Sequence, residues 1–247
     1  MESIRPSETY ACKKYEKIHA DAYNERCPNS EYEEIIMRSK DHIIYVIDEI
    51  AATTGLPLDM LECAVKQLQK TTFGNPDHLA FALTSDDNGG ALADYQAGSL
   101  RIEISTNGNG SGVASHTRAE TNHIITHQLN HAASAQSNNG IMGLNINGQG
   151  LEANEGMTEY LTQLAIGIPG FERMQSGEFS VNKDVPYGGA VLTMLALHKQ
   201  FQKGRNDHFA TLFNSYYGCT QNLHQLEQAL DSFYGLHDVI VNKKTAL

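Results

Sequence analysis

His127-Gln128-Leu129-Asn130-His131, inside the stretch Thr117–Ala135, decides how the rest of this 247-residue chain is read. Two histidines four apart on a helix lie about 40° apart around the axis and roughly 6 Å apart along it. Both imidazoles can then reach one metal ion from a single face. A histidine pair alone is a weak signal. It is strengthened by Asn154-Glu155-Gly156-Met157-Thr158-Glu159, which offers one carboxylate as a ligand and a second one turn later. Two histidines and a glutamate, with one position left open, form the donor set of a catalytic rather than a structural zinc. On a helix Glu155 and Glu159, spaced i,i+4, face the same way.

HQLNH resembles the HExxH motif of zinc metalloproteases, with glutamine where the glutamate belongs. NEGMTE is similar to the third-ligand helix of the gluzincins, the thermolysin-like branch of that clan. The resemblance covers roughly residues 90 to 200. It implies an α+β, zincin-like fold, in which a small mixed sheet places an edge strand above the zinc helix and the N- and C-terminal parts are mainly helical. It also implies His127, His131 and Glu155 as zinc ligands, and Glu159 as the acceptor that holds an imidazole N–H. Tyr187 is implied as a phenol that hydrogen-bonds the oxyanion, with His198, His208, His224 and His237 as rivals for that role. The strand before the zinc helix, with Leu100, Ile102 and Ile104, would bind substrate as an added strand through main-chain hydrogen bonds. Two rival ligands have to be weighed. His123 lies one turn before His127, but only His127 and His131 bracket the family's glutamate position. Glu152 lacks a carboxylate four residues on.

The departure is Gln128. Glutamine has nearly the shape of glutamate and can hydrogen-bond a water, but it has no basic oxygen to take a proton. Loss of a general base costs on the order of 10²–10⁴ in rate. The expected function is therefore a zinc-dependent endopeptidase in an inactivated form, acting on a protein or peptide. The alternative is a natural pseudoprotease that binds a partner without cutting it. Retention of every ligand favours a substitution made to disable the enzyme over natural drift.

Composition sets the outer bounds. Hydrophobic residues make up 40% and charged residues 19%, an ordinary globular balance with enough chain for one sizeable core. The net charge of −11 argues against nucleic acid or an anionic membrane as partner. No apolar run approaches the ~20 residues that span a bilayer. The first residues lack a Sec signal, so a cytoplasmic protein is expected, or an effector delivered by a non-Sec route. Cys12, Cys27, Cys63 and Cys219 show no CxxC and read as reduced thiols.

Along the chain, 1–247 reads as a single catalytic unit. Residues 1–72 form a helical lead, 73–140 a sheet and the zinc helix, and 141–247 a helical lobe with the third ligand. A polar helix is expected over 8–25. A second opens at Ser30 with a capping box to Glu33, carries Ile36, Met37, Ile43, Ile44, Ile47 and Ile50, and stops at Gly55. Pro57 starts a third, with Leu58, Leu61, Val65 and Leu68 inward. Strands are expected at 81–84, 91–95 and 100–105, the last with period-two alternation. A loop follows at 106–111, then Thr117 capping the zinc helix with Glu120. The segment 140–150 must turn the chain so that the Glu155 helix crosses the zinc helix. After a polar loop to Asp184, an apolar helix runs from Ala190 to Gln200. The tail from Arg205 to Asn242 reads as three short helices, one burying Leu223, Leu226, Leu230 and Phe233.

Overall fold

The computed structural model describes residues 31–70, 72–73, 80–84, 91–96, 99–105, 118–134, 143–144, 150–167, 187–218 and 222–245. The helix expected over 8–25, Ser30, the 106–111 loop, His116, Thr117 and the loop to Asp184 lie outside these residues, as do Cys12, Cys27 and Cys219. Cys63 is a free, exposed thiol. No helix among the described residues is long and apolar enough to cross a membrane.

Seven helices are described: α1 (Glu31–Thr54), α2 (Leu58–Lys70), α3 (Arg118–Ser134), α4 (Leu151–Ile166), α5 (Gly188–Gln202), α6 (His208–Tyr216) and α7 (Leu223–Thr245). The bundle is built around α4, which packs against α1, α3, α5, α6 and α7. Its composition explains that position. Met157, Tyr160, Leu161, Leu164 and Ala165 are buried together with Asn154, Thr158, Glu159 and Thr162, so burial runs around most of the helix and not along one stripe. α4 can come close to α5 because Gly156 has no side chain. A Cβ there would lie 2.7 Å from Ala190 Cβ.

α1 is the amphipathic helix its pattern predicts: Ile36, Ile43, Ile44, Ile47 and Ile50 are buried. It ends where Gly55 takes a left-handed φ of 73° and donates its N–H to Ala51 O. α2 buries Leu61, Val65 and Leu68 but leaves Leu58, in its first turn, at the surface. In the tail, α6 and the 23-residue α7 replace the three short helices expected. Leu226 and Phe233 of α7 are buried, whereas Leu223 is exposed.

Segment 72–105 contributes four short strands, β1 (Thr72–Phe73), β2 (Ala80–Thr84), β3 (Ala91–Gln96) and β4 (Ser99–Ser105), paired in the order β1-β2-β4-β3. The described core comes from the helices and the turns beside them. The α+β zincin expectation is therefore corrected: the framework that holds the histidines and Glu155 is a helical bundle, not a sheet with helices against it. The thermolysin-like resemblance does not survive that change of framework. The expected edge strand fails on a second ground. β4, with Leu100, Ile102 and Ile104, pairs in parallel with β2 and antiparallel with β3. With both edges of its backbone occupied, it offers no open row of N–H and C=O groups for a substrate strand.

Candidate metal centre

α3 and α4 meet along a polar seam. Leu129, Ile125 and Ala132 of α3 are buried in the core, while His123, His127, Asn130 and His131 turn toward Glu155, Thr158, Glu159 and Thr162 of α4. Such a seam is stable only if its buried polar groups find partners, and nearly all do. Asn130 Nδ2 donates to Thr162 Oγ1 at 3.0 Å. On the far side, Thr126 and Asn122 of α3 bond to Ser39 of α1 at 3.0 and 3.3 Å.

Within the seam three atoms converge. His127 Nε2 and His131 Nε2 are 3.2 Å apart, and each lies 3.4 Å from Glu155 Oε2. Around an ion bonded at about 2.0–2.1 Å, tetrahedral ligand atoms are separated by about 3.3 Å. The triangle already has that edge. His127, His131 and Glu155 could thus hold a metal ion. The side chains of His127 and Glu155 are each 15% exposed, so the triangle reaches solvent, as an open coordination position requires.

The outer contacts select the nitrogens. His127 Nδ1–H donates to Glu159 Oε2 at 3.0 Å, which leaves Nε2 for the triangle. His131 Nδ1 lies 3.4 Å from Thr158 Oγ1, whose hydroxyl is in turn bonded to Tyr216 at 2.8 Å. Glu159 is buried, and its other oxygen accepts from Gln163 Nε2 at 3.0 Å. Two imidazole lone pairs and a carboxylate cannot share such a triangle without a cation between them. In the metal-free protein that cation is a proton. Burial alone would lower the pKa of His127, but hydrogen bonds to Glu155 and Glu159 outweigh it and raise the value to about 9. His131, fully enclosed, is pushed the other way, mainly by desolvation. Burial opposes ionisation of Glu155 and Glu159, yet their imidazole partners hold both carboxyls well below the usual range. One proton on His127, flanked by two carboxylates, is what a divalent ion would displace.

Of the residues read from the sequence, His127, His131, Glu155 and Glu159 come together. Gln128, the next residue after His127, is buried, and its Oε1 has no hydrogen-bond partner among the described residues. Tyr187 caps α5 with a left-handed φ of 63° and is half exposed. Burial and the charge of Glu155 both raise its pKa, so the phenol stays protonated and lies within the electrostatic reach of the triangle. It also lines a cavity of about 580 Å³ with Glu152 and Tyr234. Glu152 is not a ligand, because it bonds His237 Nε2 at 2.9 Å. His198 and His237 are buried in the bundle, while His224 is exposed.

Sequence reading missed Thr158, Tyr216 and Gln163, and placed His123 only as a rival ligand. Gln163 and His123 each lie one helical turn from a residue that was identified, and that spacing was available as a signal. Tyr216 carried none, because only tertiary packing brings α6 to α4. No protein-family model, curated protein or solved structure matches this chain.

Proposed function

We propose that this chain is a zinc-dependent hydrolase of peptide bonds whose proton acceptor has been replaced by an amide. The observation that carries the reading is the His127–His131–Glu155 triangle, with edges of 3.2, 3.4 and 3.4 Å and an exposed side. Two imidazoles and one carboxylate suit zinc better than magnesium or calcium, which favour all-oxygen sites. A zinc ion there would supply Lewis acidity and a water of lowered pKa. The chain's own residues do the rest. Glu159 and Thr158 orient the two rings, and Tyr187, whose phenol feels the charge of Glu155, would donate its hydrogen to a developing oxyanion. Gln128 offers an acceptor oxygen but cannot carry a proton away.

Gln128→Glu is the test. It should raise peptide hydrolysis by on the order of 10²–10⁴ over the parent chain, and a chelator should abolish the gain. A Gln128→Glu protein that binds zinc and cleaves nothing in a broad peptide screen would refute the hydrolase. The unpartnered Gln128 Oε1 favours a second reading, a pseudoprotease that retains a peptide without cutting it. Peptide binding by the parent chain, lost with the metal, would support that reading.

A further inference from the structure

We infer that His123 is a positioning residue of the metal centre: it holds the Glu159 carboxylate, and through it the ring of His127. This rests on the metal reading above and adds a residue to it. His123 Nε2 and His127 Nδ1 both lie 3.0 Å from the same atom, Glu159 Oε2. Gln163 Nε2 holds the other oxygen at 3.0 Å. The carboxylate is therefore gripped by three donors from two helices, and Oε2 has both lone pairs occupied.

His123 is the outermost member of this set. Its side chain is 33% exposed, against 3% for Glu159. Without it, Oε2 would lose one of its two donors on the solvent side. Water could then enter, and the carboxylate could turn about its last bond. The His127 ring depends on that oxygen for its orientation. The spacing along α3 explains why one oxygen serves both rings, since residues 123 and 127 are one turn apart on the same face. His123 has no place in the triangle itself, whose members are His127, His131 and Glu155.

Two substitutions separate donor from bulk. His123→Phe keeps a ring and removes the N–H, while His123→Gln keeps an N–H donor at similar reach. Zinc affinity, read by competition with a chromophoric chelator, should fall at least about tenfold in His123→Phe and stay within about threefold of the parent in His123→Gln. The melting temperature of the metal-free protein should not separate the two variants. Equal affinity of the parent and His123→Phe would overturn the role, as would equal losses in both variants. Solvent exchange of the His127 Nδ1–H, followed by NMR in metal-free protein, gives a readout that needs no zinc. Faster exchange in His123→Phe alone supports the clamp, and unchanged exchange overturns it. Should the parent bind no zinc, the metal reading falls while this exchange measurement still decides the clamp.

Discussion

Helix α4 presents consecutive residues to two buried histidine environments of opposite character. Glu159 faces α3, where His127 and His131 sit among carboxylates. Tyr160, about 100° further round the helix, meets α5 and α6. There its hydroxyl lies 2.8 Å from His198 Nδ1, and the His198 ring stacks on Phe209 with centroids 4.0 Å apart. Both environments are largely buried, yet they set opposite charges. Carboxylate partners raise His127 to about 9, whereas burial beside a neutral phenol lowers His198 to about 3. Burial therefore does not decide whether a histidine is charged or able to bind a metal. The group on its other nitrogen does.

The largest test of this contrast is ligand removal. His131→Ala or Glu155→Ala should weaken zinc binding by more than about a hundredfold, beyond the range for outer-contact residues. His198→Phe, equally buried, should leave the stoichiometry unchanged in metal analysis. If His198→Phe also loses the metal, the two environments are not independent.

Acid and alkali should then act on opposite sides. The folded value of His198 lies below its unfolded value of 6.5, so the unfolded chain takes up the extra proton as the pH falls. Its stabilisation is complete above 6.5 and drains away toward about 3, at about 1.4 kcal/mol per pH unit. Urea unfolding of the metal-free protein between pH 6.5 and 5 should show at least that slope, to which the lowered His131 adds with the same sign, and His198→Phe should reduce it. For His127 the sign reverses. The folded value is raised, so its contribution is full below 6.5 and disappears as the pH rises through about 9. His127→Gln should remove the alkaline loss and leave the acid limb intact.

A third test asks whether the two environments share one helix crossing. Gly156→Ala forces a Cβ against Ala190 Cβ and its backbone, where the separation would be 2.7 Å. A loss of about 1–3 kcal/mol in unfolding free energy is expected, together with weaker zinc binding, because Glu155 is the adjacent residue. Unchanged stability would mean that α5 yields freely. The smallest effect belongs to Tyr160→Phe, which strips one hydrogen bond from neutral His198. It should cost about 1 kcal/mol, the net worth of one hydrogen bond, with zinc affinity unmoved.

Much of the metal group could be seen in the linear chain because its members obey helical spacing. His127 and His131 are four apart, as are Glu155 and Glu159, and a side-chain period of 3.6 residues places each pair on one face. The stop of α1 was visible in Gly55, and its buried face in the isoleucine stripe. The expectation went wrong where it borrowed a framework from the motif. Leu100, Ile102 and Ile104 alternate as a strand should, but alternation says nothing of how many neighbours a strand has, and β4 has two.

Local spacing was therefore enough to identify the donors, since a helix turns by a fixed angle per residue whatever surrounds it. Packing alone settled which of those donors face one another. The approach of α4 to α3 separates Glu155 from Glu152 and makes His123 a partner of Glu159 instead of a ligand. The arrival of α6 brings Tyr216 to Thr158 from 58 residues further along the chain. Those choices depend on where whole helices come to rest, and that follows from burying Met157, Tyr160, Leu164 and their neighbours, not from any rule of sequence spacing.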